Sequence, residues 1–273
     1  MIALIDADVI CYRAASVAVD EVDWGDGDGK STMANRKSAF EVADRLVQAW
    51  TRAARCKRHL LVFSDRSAPK TSFRFHICPI YKSGRPEEKL PLHDEVLEYL
   101  QKTYRHVWYP GLEGDDTLGL LGTGPEGSKY VVVSIDKDML TLPCRVVNPD
   151  HPKDKVRKLS LIVADYNWMF QTITGDRVDG YKGAPGAGPK KAAEVLALPK
   201  TLAGRWEAAL RVYADQHDHK RWGDEFVTGS AFDEALMNAR CARILRHGDY
   251  NDKTKQVRLW HPDLKEVEWI NPF

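Results

Sequence analysis

The sequence lacks any apolar run approaching the roughly 20 residues needed to span a bilayer. Its one early hydrophobic stretch, Met1 to Ile5, is interrupted at once by Asp6 and Asp8. The N-terminus is therefore read as a buried strand and not as a signal peptide, and no membrane partner is expected. Cysteine is sparse and without pattern: Cys11, Cys56, Cys78, Cys144 and Cys241 are odd in number and include no CxxC pair. This argues against a disulfide framework and a zinc knuckle, and fits a reducing cytoplasm. Net charge is almost absent, at +1 from 40 basic and 39 acidic side chains. Such balance does not by itself mark a nucleic-acid binder. It is compatible with one if many acids share a single site, because the remaining surface is then basic. Basic stretches run over 52–58, 153–158 and 182–191, and each taken alone reads as a solvated face. Internal repeats and long low-complexity linkers are missing too, so 1–273 is read as one domain.

What is present alternates. Apolar runs at 2–5, 60–63 and 130–135 predict buried strands. Residues 38–54, with Phe40, Val42, Ala43, Leu46, Val47 and Trp50 at helical spacing, predict an amphipathic helix, and 93–104 and 115–121 predict two more. Residues 21–36, with Gly25, Gly27, Gly29 and several aspartates, read as an exposed loop. Strands alternating with helices to about residue 150 imply an α/β fold, a central, mostly parallel twisted sheet flanked by helices. Beyond about 164 the chain reads as mostly helical, with short strands near 256–260 and 267–269.

The acids fall where that sheet would end. Asp6 and Asp8 follow the first apolar run, Asp65 the second, and Asp136 and Asp138 the third, while Glu113, Asp115 and Asp116 enter a helix. Ligands of open parallel sheets bind at the carboxyl ends of the strands. Crowded carboxylates are costly unless cations neutralise them, and oxygen-only donors suit hard ions such as Mg²⁺ or Mn²⁺. Two such ions about 4 Å apart clamp the attacking and leaving oxygens of a phosphodiester. A single pair such as Asp115-Asp116 would merely favour a helix N-terminus; clusters after successive strands point to a metal site.

A second informative stretch is Thr174-Gly-Asp176-Arg-Val-Asp179-Gly-Tyr-Lys-Gly183-Ala-Pro-Gly186-Ala-Gly188-Pro-Lys190-Lys191. Glycines let a backbone approach a phosphate, turn amides and a following helix N-terminus can bind it, and Lys190 and Lys191 add charge. Together these would hold DNA without reading its sequence. A Walker A loop is excluded because no Ser or Thr follows Lys190. A dinucleotide fingerprint should lie near the first strand, not this late. The plain alternative is a Gly/Pro loop between helices.

At this point the residues resemble a known family. The segment from Thr174 to Ala192 resembles the helix–three-turn–helix element of flap endonucleases and bacterial polymerase I 5′-nuclease domains. Leu4-Ile-Asp6 with Tyr12-Arg13, Phe63-Ser-Asp65, Ser72-Phe-Arg74, Tyr81-Lys82-x-x-Arg85 and Ile135-Asp136-Lys-Asp138 follow in the family's order, and Glu113-Gly-Asp115-Asp116 resembles its Glu-Ala-Asp-Asp. The match covers roughly 1–195. Departures are Ser64 between Phe63 and Asp65, Gly180 in place of a usual Asn, and the additional acid Asp8. Phe-Ser-Asp, Asn148-Pro149-Asp150 and Asp179-Gly-Tyr181 look most like the stand-alone exonucleases of tailed bacteriophages, which would place the chain in the host cytoplasm.

The resemblance implies a metal-dependent 5′-3′ exonuclease or flap endonuclease acting in phage DNA replication or degradation. Asp6, Asp65, Glu113, Asp115 and Asp116 would hold one Mg²⁺; Asp136, Asp138, Asp176 and Asp179 would hold or orient the second, with Mn²⁺ as a substitute. Lys82 and Arg85 would contact the scissile phosphate at the base of an arch over about 82–112, with Arg13 and Arg74 nearby. Gly183, Gly186 and Gly188 would track the duplex, around K⁺ as in family members. The catalytic core would occupy 1–160, the helix–three-turn–helix 164–200, and a helical part with short strands 201–273. Expected substrates are double-stranded DNA with 5′ ends or 5′ flaps, and an RNA–DNA hybrid, met by a monomer. Tyr104, Trp108 and Tyr109 are read as packing residues before base-stacking ones. A ribonuclease of PIN type would lack the glycine-rich element, and a non-catalytic DNA-binding scaffold would have lost acids.

Overall fold

A computed structural model describes residues 1–17, 19–23, 30–66, 72–84, 90–151, 155–217 and 230–272. Strand β1 (Ile2–Asp6) is buried from Ala3 onward and leads without a linker into α1 (Ala7–Val17). Strands β2 (Val19–Asp23) and β3 (Lys30–Ala34) pair antiparallel from Val19 opposite Ala34 to Asp23 opposite Lys30. Of the loop expected over 21–36, residues 21–23 and 30–34 are strand, and 24–29 lie outside the described residues.

Helix α2 (Arg36–Ala53) starts where the Asn35 side chain accepts from the Ser38 amide at 3.1 Å, satisfying one of the helix's orphan donors. It buries Ala39, Ala43, Val47 and Trp50, one face at helical spacing. Strand β4 (Arg58–Val62) and the short α3 (Phe73–Ile77) follow, then α4 (His93–Thr103), β5 (His106–Val107), α5 (Gly114–Thr123), β6 (Tyr130–Val133), β7 (Arg145–Val147) and β8 (Arg157–Lys158). The six-stranded sheet runs β5-β4-β1-β6-β7-β8. All its pairs are parallel except β7–β8, as the alternation predicted. Strand β1 sits between β4 and β6, so the strand order reverses at β1. A crevice opens at such a reversal, beyond the carboxyl ends of the strands.

Much of the segment expected as an arch, about 82–112, packs into the body of the protein. Helix α4 buries Val96, Leu97 and Leu100 in the same core as α1 and α2, and β5 is the edge strand beside β4. Apolar spacing on 96, 97 and 100 commits this segment to the body of the sheet, because burying each such side chain is worth about 1.5–3 kcal/mol. Of the connection between Lys82 and α4, residues 85–89, with Arg85, lie outside the described residues.

Helices α6 (Leu161–Thr174), α7 (Pro189–Leu196), α8 (Leu202–His217) and α9 (Ala231–Ala242) form a second cluster around Trp168, Tyr181, Trp206 and Tyr213. The Trp168 indole donates to the Ala239 carbonyl at 2.8 Å. Strands β9 (Tyr250–Asn251), β10 (Gln256–Leu259) and β11 (Glu268–Ile270) make a small antiparallel sheet, one strand more than predicted. No described helix is long and apolar enough to cross a membrane.

Candidate active site

The end of β1 carries Asp6, 5% exposed, which accepts from the Ser134 hydroxyl at 2.7 Å just beyond β6. The Ser134 oxygen also accepts from the Asp136 amide at 3.1 Å, and the Asp136 carboxylate accepts from the Asp138 amide at 2.8 Å. These short links place three of the predicted acids on the edge of two neighbouring strands. Asp138 is held by the Gln171 side chain of α6 at 2.8 Å. Asp176 accepts from Lys137 at 2.7 Å and from the Val178 amide at 2.8 Å. The glycine-rich segment is thereby docked onto the strand edge.

A second bridge runs through Tyr81 and Lys82. The buried Tyr81 hydroxyl lies 3.2 Å from Glu113 and 3.3 Å from Asp179. The Lys82 ammonium pairs with Glu113, and its amide donates to the Asp179 carbonyl at 2.8 Å. Gly180, at φ 83°, passes so close to residue 80 that a Cβ there would stand 2.6 Å from the Ile80 carbonyl oxygen. A left-handed conformation in that contact suits only glycine, which accounts for the departure from Asn.

The electrostatics show one cluster. Burial, then the neighbouring Asp8, push Asp6 up to about 7. Burial, then Asp6 and Asp136, hold Asp115 well above the usual carboxylate range. Burial, then Asp136, raise Asp138 to about 6. Asp136 is raised by burial and by Asp179 and Asp176. Glu113 goes the other way. Burial opposes its ionisation, but Lys82 and Arg74 outweigh it and draw the group down to about 2. Asp176 is likewise lowered, Lys137 prevailing over burial. The site thus carries more negative charge than its own lysines neutralise. Among the described residues no three acidic, His or Cys side chains converge tightly enough to enclose an ion as they stand; like charges separate, and Glu113 and Asp176 are taken by ammonium groups. The donors are all oxygen, and their surplus charge fits hard divalent cations.

Several expected site residues stand elsewhere. Arg74 is 3% exposed and cannot reach DNA. Its guanidinium grips Asp116 at 2.7 and 2.8 Å and Glu113 at 3.0 Å, and donates to the Cys241 and Arg243 carbonyls. Asp116, fully buried, has its oxygens taken by Arg74 and by the Leu245 amide at 3.0 Å. Asp65 follows β4 as predicted and accepts from the Gly111 amide at 2.6 Å. Arg13 is held by a two-pronged contact with Asp150. Gly183 does not face solvent. Its amide donates to Asn238 at 2.8 Å, and a Cβ on it would stand 2.3 Å from the Gly175 nitrogen, so it closes the loop. Gly186, Gly188, Lys190 and Lys191 are exposed. Tyr104 donates to Asp44 at 2.7 Å and Tyr109 meets Tyr250 edge-on, as packing residues do, while Trp108 is 45% exposed.

The sequence reading missed Ser134 and Gln171, named Asp8 only as an additional acid, and gave no role to Lys137 and Tyr81. Lys137 and Tyr81 adjoin motif residues and were visible. Gln171 carried a weaker signal, a polar residue inside an apolar helix. Ser134 had none, because its role depends on β1 and β6 lying side by side.

Comparison with known proteins agrees with this architecture. A solved complex of the bacteriophage T5 flap endonuclease with DNA and metal ions superposes with a TM-score of 0.56, covering 88% of this chain and 90% of that one at 13% identity. That likeness concerns the fold. In sequence, the exodeoxyribonuclease of Enterobacteria phage T3 and the exonuclease of Escherichia phage T7 are each 27% identical, over 96% of this chain and 93% of theirs. The family model described as "5′-3′ exonuclease, N-terminal resolvase-like domain" matches residues 1–164, which include the ends of β1, β4 and β6 and the start of α5; the chain belongs to the 5′-3′ exonuclease family and is a nuclease of the hydrolase class.

Proposed function

We propose that this chain is a divalent-metal-dependent 5′-3′ exonuclease that also cleaves 5′ flaps in phage DNA replication or degradation. One observation carries the reading. Acids from β1, β6, α5 and the glycine-rich segment share one edge of the sheet, joined through Ser134, Lys137, Tyr81 and Lys82. The supply of oxygen donors suits two Mg²⁺, with Mn²⁺ as a substitute. Asp6, Asp65, Glu113 and Asp115 would hold one, and Asp136, Asp138, Asp176 and Asp179 the other. When bound, such ions neutralise the scissile phosphate and activate the attacking water. Asp116 acts at one remove, through the guanidinium that also holds Glu113. Lys82, fixed by contacts from both parts of the molecule, is the cation that orients the phosphate, with Arg85 as its partner. Residues 1–160 supply most of the chemistry, 164–200 hold the duplex and add Asp176 and Asp179, and 201–273 buttress that element through contacts such as Asn238 with Gly183.

The test is digestion of 5′-end-labelled duplex and 5′-flap DNA with Mg²⁺ against an EDTA control. Release of 5′ mononucleotides or short flaps only with metal is the expected result. Cleavage of single-stranded RNA without action on DNA ends would favour the ribonuclease reading. DNA binding without cleavage in Mg²⁺ or Mn²⁺ would favour a scaffold.

A second expectation concerns the duplex. Gly186 and Gly188 are exposed before α7, whose first turn presents Lys190 and Lys191. Each phosphate neutralised contributes about −0.9 to the slope of log affinity against log salt. Changing both lysines to Ala is expected to weaken duplex binding and flatten that slope by about 2, with little change in base preference. An unchanged slope would show that this turn does not hold the backbone.

A further inference from the structure

Three residues from separate segments, Asp8, Ser64 and Gly114, meet at one point. One oxygen of Asp8, Oδ2, accepts from the Ser64 amide at 2.9 Å and from its hydroxyl at 2.6 Å. The Ser64 oxygen in turn accepts from the Gly114 amide at 2.8 Å. A Cβ on Gly114 would stand 3.0 Å from that same Oδ2 and 3.4 Å from the Ser64 nitrogen. The Asp8 carboxylate therefore crowds the space an alanine methyl would take.

The chain of hydrogen bonds also solves a capping problem. The first amides of a helix have no partner within it. Glu113, at the N-cap of α5, makes no side-chain cap bond, because its carboxylate is committed to Lys82, Arg74 and Tyr81. Ser64 supplies an acceptor to the first turn from another strand, and Asp8 orients the Ser64 hydroxyl so that its lone pair points at Gly114. Each member adjoins a proposed ligand: Asp8 is two residues from Asp6, Ser64 precedes Asp65, and Gly114 lies between Glu113 and Asp115.

We infer that Asp8 is a positioning residue, which through Ser64 and the Gly114 amide sets the spacing of the three chain segments that carry Asp6, Asp65 and Glu113–Asp115. The inference rests on the metal-dependent reading above. Hydrogen bonding, not the charge itself, does the positioning. A single carbonyl oxygen, as in Asn, can accept both Ser64 donors.

The test uses Asp8→Ala, Asp8→Asn, Gly114→Ala and the Asp8→Ala/Gly114→Ala double variant of the full chain. It reads Mn²⁺ affinity by calorimetry, kcat and KM on duplex ends, and thermal unfolding without metal or DNA. Asp8→Ala is expected to weaken Mn²⁺ binding and lower kcat by about 10-fold or more, as loss of a group orienting metal ligands does, with KM for DNA unchanged. Asp8→Asn is expected to restore both. Gly114→Ala alone is expected to lower the unfolding temperature and Mn²⁺ affinity. In the Asp8→Ala background the same change is expected to raise both, because the methyl enters vacated space and alanine favours the helix. Wild-type Mn²⁺ affinity and kcat in Asp8→Ala, equal losses in the Asn and Ala variants, or independent effects at 8 and 114 would each overturn the inference. A reversal at 114 in unfolding, with no Mn²⁺ bound by the wild type, would instead bring down the metal-dependent reading and reduce the unit to a structural lock.

Discussion

Asp136→Asn is expected to lower turnover at saturating Mg²⁺ by at least about 100-fold, since changes merely adjoining a metal ligand already cost 10- to 100-fold. The substitution isolates charge from shape. The Asp136 carboxylate accepts from the Asp138 amide at 2.8 Å, and the carbonyl oxygen of Asn can accept the same bond, so the turn after β6 is kept. What is lost is one negative charge in a cluster that includes Asp138, Asp176 and Asp179. Duplex affinity, which rests on phosphate contacts elsewhere, and the unfolding temperature are expected to stay near wild type. Single-turnover cleavage beside a binding assay in Ca²⁺ checks this. Near-normal turnover would remove Asp136 from the metal site, while parallel loss of DNA binding would make it a structural residue.

Arg74→Ala is expected to destabilise the protein by about 3–5 kcal/mol, the range for breaking one side of a buried ion pair. The two-pronged contact with Asp116 lies at 4% and 0% side-chain exposure, and truncation strands that carboxylate away from water. It also removes donors from the Cys241 and Arg243 carbonyls, which tie α3 to α9 and the chain beyond it. Arg74→Lys is expected to recover only part of the loss, because an ammonium cannot reproduce the planar fork that spans both Asp116 oxygens. Denaturant unfolding gives the number. Normal stability with weakened DNA binding would return Arg74 to the surface role its motif suggested.

Much of the architecture was legible in the sequence because the signals are local. A buried parallel strand reads as a short apolar run, so β1, β4 and β6 could be placed within a residue or two, and the acids that follow them point to the strand ends. The packing of the segment expected as an arch was less legible. Residues 93–107 follow the arch's motif in sequence, and only the packing of Val96, Leu97 and Leu100 on α1 and α2 shows where they belong.

The sequence by itself determined the strand–helix order, the place of the acids at the strand ends and the glycine-rich turn before α7. These depend on spacing over a few residues and on side-chain chemistry. Only the tertiary structure decided which donor serves which acid. Arg13 is committed to Asp150 across 137 positions, Arg74 to Asp116 across 42, and Asp8 to Ser64 across 56. Such pairings depend on strand register and on which donor reaches a buried carboxylate first. A hydrogen bond tolerates only a few tenths of an ångström of error, a precision that residue spacing does not carry.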